Sequence, residues 1–274
     1  MLIAHLTDLH IGLDTTMLMG HPGPTMALRR TLAHVGSLDP APDVLIISGD
    51  LSDEGNTEDY ITVRDMLREE LPDLDKGGPL VLAVPGNHDD AMTARHVLGE
   101  LIPVAADTPE GRTCLHVEHG LLHFIGLDTA VPNRPHGALD APQLAWLEVQ
   151  LDHCAGQPVV IFMHHPPLMT GITAMDTFGL LEGRSRLGEL VARHGGVQLI
   201  AAGHIHRPII GLLGGAPVLV APSVSHQINL DLRPAAPLAC RLEPPMIGLY
   251  RYSPTTGTAC HFSYVDPFPG PFFI

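Results

Sequence analysis

Residues 199–208 read LIAAGHIHRP, an apolar run that ends at a glycine and is followed by two histidines one residue apart. A short, continuous apolar run bounded by turn residues is typical of a buried strand. In a chain with 18 histidines, two imidazoles after such a strand indicate either a chance arrangement or a metal site at the strand end. The rest of the sequence distinguishes these two interpretations.

The same pattern occurs four more times along the chain. In each case a predicted buried strand is followed closely by a side chain that offers nitrogen or oxygen to a metal. With the first stretch included, the five pairs are Leu2–Thr7 with Asp8 and His10, Val44–Ser48 with Asp50, Leu80–Val84 with Asn87 and His88, Val159–Met163 with His164, and Leu199–Ala202 with His204 and His206. Open α/β sheets bind ligands at the carboxyl ends of their strands. We therefore expect these side chains to converge on one site.

His204 and His206 are two positions apart, and in extended backbone such side chains project to the same side. Both imidazoles are therefore expected to face one cluster, with Ile205 turned away.

The residue types of this cluster indicate which metals it binds. Asp, Asn and His without Cys favour Mn, Fe, Co or Zn over copper or iron–sulfur chemistry. The candidate ligands are Asp8, His10, Asp50, Asn87, His164, His204 and His206. These are too many for one tetrahedral ion, whereas two divalent metal ions bridged by Asp50 accommodate them. Metal pairs about 3.5–4 Å apart serve hydrolytic displacement at phosphorus.

Helical patterns separate most of the strands and predict an α/β fold. The predicted helices are Thr25–Val35, Thr57–Leu71 with Asn56 as N-cap, Ala141–His153 with Asp140 and Gln143 as a capping box, and Arg184–His194. Further strands are predicted at Thr113–Glu118 and Leu121–Leu127, which form a hairpin, and at Val218–Ala221, Met246–Tyr252 and Thr258–Val265. The part after residue 206 is thus expected to be more antiparallel.

Composition limits the class of protein and its partners. The 274 residues are 45% hydrophobic, which is typical of a globular domain with a full core. A formal charge of −15 with only 15 Lys and Arg argues against a nucleic-acid partner, which needs a basic surface. No apolar run approaches the roughly 18 residues of a membrane helix, and the beginning of the chain does not read as a signal peptide. We expect a cytoplasmic protein with no membrane partner.

The four cysteines are widely spaced and form no C-x-x-C pair, which predicts reduced thiols. Cys240 and Cys260, in the loop-rich tail, are candidates for a bridge between subunits.

The order D-x-H, G-D, G-N-H-D, H, G-H-x-H from residue 8 to residue 206 resembles the calcineurin-like metallophosphoesterases in all five blocks. FMHHPPL (Phe162–Leu168) and VSHQ (Val224–Gln227) are similar to the bacterial class III cyclic-nucleotide phosphodiesterase and glycerophosphodiesterase group. The resemblance implies a four-layer α/β/β/α sandwich with a dinuclear site. It also implies a catalytic core over 1–206, and C-terminal strands with a dimerisation arm over 207–274.

The resemblance further implies a role for each motif residue. Asp8, His10, Asp50 and His206 would hold the first metal, and Asp50, Asn87, His164 and His204 would hold the second. His88 would not ligate a metal but would face the phosphoryl group, where it either protonates the leaving alkoxide or donates a hydrogen bond in the transition state. A homodimer or higher homo-oligomer is expected.

The function predicted from these observations is metal-dependent hydrolysis of small phosphodiesters, glycerophosphodiesters or cyclic nucleotides, by a hydroxide held between two metals. A phosphomonoesterase on the same core is the alternative. The motif loops hold few cations, which favours a diester, but Arg207 beside His206 would favour a monoester. A non-catalytic scaffold is a third hypothesis, which predicts that some of the metal-ligand positions carry residues that cannot bind a metal.

Several neighbours of the motifs have simpler interpretations. Asp89 is predicted to cap the next helix, His165 to point away from the metals, and Asp53 with Glu54 to form a solvated loop. His226 is a candidate either for contact with the substrate or for a contact that supports a metal ligand. The remaining histidines, including His116, His123 and His153, are interpreted as surface or core residues.

Overall fold

Two β-sheets lie face to face at the centre of the molecule, in a computed structural model that describes residues 1–13, 23–71, 74–99 and 103–273. The strands are β1 (Leu2–Leu6), β2 (Val44–Ser48), β3 (Leu80–Val84), β4 (Leu115–His119), β5 (Leu122–Leu127), β6 (Ala130–Val131), β7 (Arg134–Ala138), β8 (Val159–Met163), β9 (Leu180–Glu182), β10 (Val197–Ala202), β11 (Ile209–Leu213), β12 (Ala216–Val220), β13 (Gln227–Ile228), β14 (Cys240–Arg241), β15 (Met246–Ser253) and β16 (Gly257–Tyr264). The helices are α1 (Pro24–Gly36), α2 (Thr57–Glu70), α3 (Ala91–Val97), α4 (Ala141–His153), α5 (Thr173–Asp176) and α6 (Arg184–His194), with a 3-10 turn at Leu74–Lys76.

The first sheet has the order β16-β15-β1-β2-β3, and the second has the order β11-β12-β10-β8-β5-β4. The central strands β1, β2 and β3 of the first sheet are parallel, as are β5, β8, β10 and β12 of the second. Antiparallel strands flank both groups, namely β15 and β16 on one sheet and β4 and β11 on the other. The carboxyl ends of the parallel strands therefore meet at shared sheet edges.

Alternation along the strands divides the apolar side chains among three layers of core. Ile3, Phe124 and Phe162 are buried between the two sheets. Ala4 turns the other way and packs with α1, α2 and α3, while Ile125 packs with α4 and α6. Each large side chain buried in this way contributes about 1.5–3 kcal/mol relative to an exposed one. The predicted four-layer α/β/β/α sandwich is confirmed.

Most predicted elements are confirmed with small shifts of their ends, including all four helices and the capping box of Asp140 with Gln143. Asn56 occupies the N-cap position of α2, although its side chain accepts no capping hydrogen bond. Among the described helices, none combines the length and the hydropathy that crossing a bilayer requires.

The elements absent from the prediction are short or lack an apolar period. β7 (RPHGA) pairs with β6 and β9 in a three-stranded sheet, and β11 pairs with β12 across Gly214 and Gly215.

The two predicted C-terminal strands, β15 and β16, continue the first sheet beside β1. The dimerisation arm within 207–274 stays a prediction.

Candidate metal centre

The residues that follow the parallel strands have an unusual backbone conformation. Among the described residues, six that are not glycine have positive φ. Five of these six are Asp8, His10, Asp50, His204 and His206. A left-handed conformation costs a residue with a Cβ on the order of 1–3 kcal/mol and persists only where the surrounding structure enforces it. Backbone strain is therefore concentrated at the predicted metal ligands.

The expectation of extended backbone at His204 and His206 was wrong, since their φ values are 68° and 53°. Two left-handed residues on either side of Ile205 still turn both imidazoles towards the same cluster. The histidines converge because the chain is tightly coiled after Gly203.

A first cluster joins Asp8, His10, Asp50 and His206, whose ligand atoms all lie within 4.8 Å of one another. His206 Nε2 lies 3.2 Å from Asp8 Oδ1, and His10 Nε2 lies 3.7 Å from Asp50 Oδ2. The two Nε2 atoms of His10 and His206 are 3.1 Å apart. All four residues are buried. The donor set suits a divalent cation of the Mn, Fe, Co or Zn class.

Three of the histidines are oriented by a hydrogen bond at the other ring nitrogen. The acceptors are Asp53 Oδ1 for His10 (2.9 Å), the carbonyl of His226 for His206 (2.8 Å) and the carbonyl of Ser48 for His164 (2.8 Å). Because each acceptor takes the Nδ1 proton, Nε2 is the ring nitrogen that faces the cluster and can bind a metal. The Nε2 atoms of His10 and His206 are 3.1 Å apart, a separation that a shared proton or a bound metal ion would stabilise.

A second cluster lies on the other side of Asp50. His164 Nε2 is 3.3 Å from Asp50 Oδ2 and 3.1 Å from Asn87 Oδ1. The His204 ring packs 5.1 Å from that of His164, and its Nε2 is buried without a hydrogen-bond partner. A buried polar atom without a partner costs free energy, which a bound cation would recover. These residues therefore fit a second metal, and Asp50 Oδ2 faces both clusters.

Two glycines of the motifs allow this close packing. A Cβ at Gly86 would lie 2.1 Å from Asp50 Oδ1, and a Cβ at Gly203 would lie 1.9 Å from Thr7 Oγ1. Any side chain at these positions would displace the carboxylate or the strand that carries Asp8.

The electrostatics of the cluster keep its carboxylates ionised. Burial alone would raise the pKa of Asp50, but His164 and His10 beside it hold the pKa well below its ordinary value. His206 lowers the pKa of Asp8 in the same way. Burial lowers the pKa of His204 to about 3, so this ring is neutral at pH 7. Asp50 and Asp8 outweigh burial at His164 and raise its pKa to about 9, so a cation binding there displaces a proton.

His88 and His226 border the cluster. The His88 side chain is 41% exposed, its backbone N–H donates to Asp50 Oδ1 (3.0 Å), and its Nδ1 donates to the carbonyl of Asp53 (2.8 Å). Its Nε2 is thus the ring nitrogen left for a substrate. The ring of His226 lies 5.3 Å from that of His10 and 4.6 Å from that of His206. Burial lowers the pKa of His226 to about 3.

The interpretation of Asp53 as part of a solvated loop was wrong, because its carboxylate is 18% exposed and accepts the hydrogen bond that orients His10. The two residues are 43 positions apart, and no spacing in the sequence signals their contact. Glu54 is exposed as predicted.

The prediction that Asp89 caps a helix was also wrong. Asp90 caps α3 by accepting from Thr93 N–H, whereas Asp89 accepts from the backbone N–H groups of Gly86, Leu51 and Ser52. These bonds connect the two loops that carry Asp50 and Asn87. His165 does not point away from the cluster as predicted, since its ring packs 4.5 Å from that of His204 and it offers a nitrogen within 4.8 Å of ligand atoms of His164 and His204. Thr129 and the carbonyl of Pro135 nevertheless occupy its ring nitrogens.

Replacing Asp53 with alanine is expected to weaken metal binding about 10–100-fold, because His10 loses the acceptor that fixes its ring. Equilibrium dialysis against a metal buffer measures this change. Glu54→Ala is the matched control. It also removes one negative charge, but from the exposed side chain of the next residue. Equal affinity in the two variants would contradict a role for Asp53 in orienting His10.

Comparison with known proteins agrees with this geometry. Residues 1–208 match the family described as calcineurin-like phosphoesterase. A probable glycerophosphodiester phosphodiesterase GpdQ of Arcobacter nitrofigilis is 33% identical over 272 residues, which cover 99% of this chain and 96% of that protein. A probable cyclic nucleotide phosphodiesterase of Synechococcus is 33% identical over 249 residues, which cover 88% of each chain.

Solved structures share the fold at low identity. A purple acid phosphatase from yellow lupin superposes with a TM-score of 0.63 at 14% identity, over 96% of this chain and 51% of that one. A dimetal phosphatase from Danio rerio gives a TM-score of 0.57 at 14% identity, over 97% and 99% of the two chains. With both strand-end clusters in place and the family match covering three quarters of its length, the chain belongs to the calcineurin-like phosphoesterase family.

Proposed function

We propose that this protein is a phosphodiesterase that uses two divalent metal ions to hydrolyse small diesters, either glycerophosphodiesters or cyclic nucleotides. One observation carries the proposal: Asp50 Oδ2 lies 3.7 Å from His10 Nε2 and 3.3 Å from His164 Nε2, so that a single carboxylate serves two clusters of ligands. The relatives named as glycerophosphodiester and cyclic nucleotide phosphodiesterases support the substrate class.

The proposed ligands follow the two clusters. Asp8, His10, Asp50 and His206 hold one ion, and Asp50, Asn87, His164 and His204 hold the other. Donors of this kind, with nitrogen and oxygen but no sulfur, suit Mn, Fe, Co or Zn.

When bound, such an ion pair supplies a hydroxide nucleophile at neutral pH and neutralises charge on the phosphoryl oxygens. The chain's own residues then complete the chemistry. His88 presents Nε2 from the exposed rim of the cluster, while its Nδ1 is held by the carbonyl of Asp53. From that position the imidazolium form of His88, which carries a proton on each ring nitrogen, donates a proton or a hydrogen bond from Nε2 to an oxygen of the diester. His226, neutral beside His206, lines the same rim.

The charges around the cluster favour a diester monoanion over a monoester dianion. In the part of the chain that the structure describes, the ion pairs of Asp8, Asp50 and Asp53 are all made with histidines. The Arg207 guanidinium lies 3.1 Å from Glu243 Oε2 and donates to the carbonyl of Ile228. Because its charge is already paired, Arg207 does not supply the cation that a monoester would need.

The proposal predicts that the protein, stripped by chelation and reloaded with Mn, Zn, Co or Fe(II), hydrolyses bis(p-nitrophenyl) phosphate at least about tenfold faster than p-nitrophenyl phosphate. A tenfold ratio in kcat/KM corresponds to about 1.4 kcal/mol of selective stabilisation. A preference for the monoester would instead indicate that the protein is a phosphomonoesterase. Loss of turnover with every metal, despite two bound ions, would favour the scaffold hypothesis.

Assembly and location are further parts of the proposal. We propose a homodimer or higher homo-oligomer formed by the segment after residue 206, which exposes Leu230, Leu232, Leu238 and Leu242. Sedimentation velocity of the full chain measures this. A cytoplasmic location is supported by the four free thiols, which suit a reducing compartment.

A further inference from the structure

A second group of histidines lies at the opposite end of the second sheet. His116 on β4 and His123 on β5 face the last turn of α4, where Cys154 is the C-cap residue. His123 pairs with Val159 at the beginning of β8, and His164 follows the end of that strand. Five residues at about 3.3 Å each place the two groups about 16 Å apart along the strand. This group is therefore separate from the dinuclear centre.

The hydrogen bonds of the two rings leave lone pairs facing each other. Gln150 Nε2 donates to Asp107, which fixes Gln150 Oε1 as the acceptor for His116 Nδ1–H at 2.8 Å. Gln157 Oε1 accepts from His123 Nε2–H at 2.7 Å. With both amides in this orientation, the remaining nitrogens, His116 Nε2 and His123 Nδ1, are 3.0 Å apart and each carries a lone pair. A metal ion or a proton between them removes the repulsion.

This is the pattern that metal-binding histidines show, with the outer nitrogen bonded to an oxygen and the inner nitrogen free. Two nitrogens bound to one tetrahedral zinc ion at 2.0–2.1 Å lie about 3.3 Å apart, close to the separation of His116 Nε2 and His123 Nδ1. The Sγ atom of Cys154 lies within 4.8 Å of a ring nitrogen of each histidine. Cys154 is buried, and its sulfur is a third possible metal ligand, softer than the two imidazole nitrogens.

The surroundings suit a cation with one open position. A cavity of about 420 Å³ borders the group, and the carboxylates of Asp107 and Glu118 line it. Both residues are exposed. They contribute negative charge to the cavity but are not among the proposed ligands. The cavity gives a metal ion a route of entry and leaves room for a fourth ligand from solvent.

We propose that His116 Nε2, His123 Nδ1 and Cys154 Sγ bind one zinc ion, separate from the dinuclear centre, with the fourth coordination position open to this cavity. The thiol, which donates to the carbonyl of Gln150 in the absence of the ion, loses its proton to solvent as the zinc–sulfur bond forms. The ion would connect the β4–β5 hairpin to the end of α4. This proposal does not depend on the proposed function.

Cobalt provides a readout for this site alone, because the ligands of the dinuclear centre include no cysteine. The full chain, titrated with Co²⁺, is expected to develop a thiolate-to-cobalt charge-transfer band in the near ultraviolet, and Zn²⁺ is expected to abolish it. Cys154→Ser should lose the band, and His116→Gln should weaken Co²⁺ binding at this site at least about tenfold. His96→Gln and Cys240→Ser are controls, since both residues are exposed and neither lines the cavity at the proposed site.

A band that depends on Cys154 and His116 but on neither control residue supports the site. No band at saturating Co²⁺ would overturn the proposal and mean that a proton joins the two imidazoles. A band lost in Cys240→Ser, or one unchanged in His116→Gln, would also overturn it. Should Cys154→Ser fail to fold, the half-buried His116 variant and the two controls still decide the outcome.

Discussion

Asp50→Ala is expected to lose bound metal and turnover together, with kcat/KM falling at least about 10³-fold. The Asp50 carboxylate, proposed as the bridge, faces both clusters, with Oδ2 3.7 Å from His10 Nε2 and 3.3 Å from His164 Nε2. Its removal leaves each proposed ion with fewer ligands. The several kcal/mol of charge stabilisation that a metal provides to the reacting phosphoryl group are then lost. A loss of about 4 kcal/mol in transition-state stabilisation corresponds to a 10³-fold lower rate. Metal content by elemental analysis and turnover of bis(p-nitrophenyl) phosphate are the two measurements.

Asp128→Asn is the matched control for the Asp50 variant. Asp128 is also a buried carboxylate, bonded to Thr113 and to the N–H of Ala130, and it lies outside both clusters. It should retain two ions per chain. An Asp50→Ala protein that keeps two ions and full turnover would show that the bridge is assigned to the wrong residue.

His88→Ala is expected to keep both ions and to lower kcat about 100-fold or more, the usual contribution of a general acid or base. His88 contacts Asp50 only through its backbone N–H, which alanine preserves, so metal binding should not change. His96→Ala on α3 is the control, an exposed histidine near the same loop. A variant that loses metal would make His88 a ligand, contrary to this account.

The leaving group separates the two roles open to His88. A general acid matters most for a poor leaving group, so its loss should slow a glycerophosphodiester more than bis(p-nitrophenyl) phosphate, whose p-nitrophenolate leaves without a proton. A hydrogen-bond donor to the phosphoryl oxygens should slow both substrates equally.

The pattern of strands and helices was sufficient for the α/β class and for the convergence of the ligands, whereas the four layers were predicted from the resemblance to the family. Buried parallel strands appear as continuous apolar runs, and the polar residue after each run lies at a shared sheet edge, so the pattern of LIAAGHIHRP extends to all five motif blocks. The local conformation was not predictable in the same way. His204 and His206 reach the cluster through left-handed backbone, which the packing around Gly203 enforces and residue spacing does not reveal.

Contacts between distant parts of the chain account for the rest of the differences. The bond of Asp53 to His10 spans 43 positions and that of the His226 carbonyl to His206 spans 20. A backbone carbonyl carries no sequence signal, because any residue could provide it. His116, His123 and Cys154 were ordinary in the sequence for the same reason, since the hairpin and the end of α4 bring them together.

The central claim is that Asp50 bridges two metal ions, and anomalous X-ray diffraction from crystals of the full chain grown with Mn²⁺ tests it most directly. If Asp50 bridges two ions, the map should show two anomalous peaks about 3.5–4 Å apart, with Asp50 between them and His10 and His164 on opposite sides. A single peak, or two peaks of which only one contacts Asp50, would contradict it.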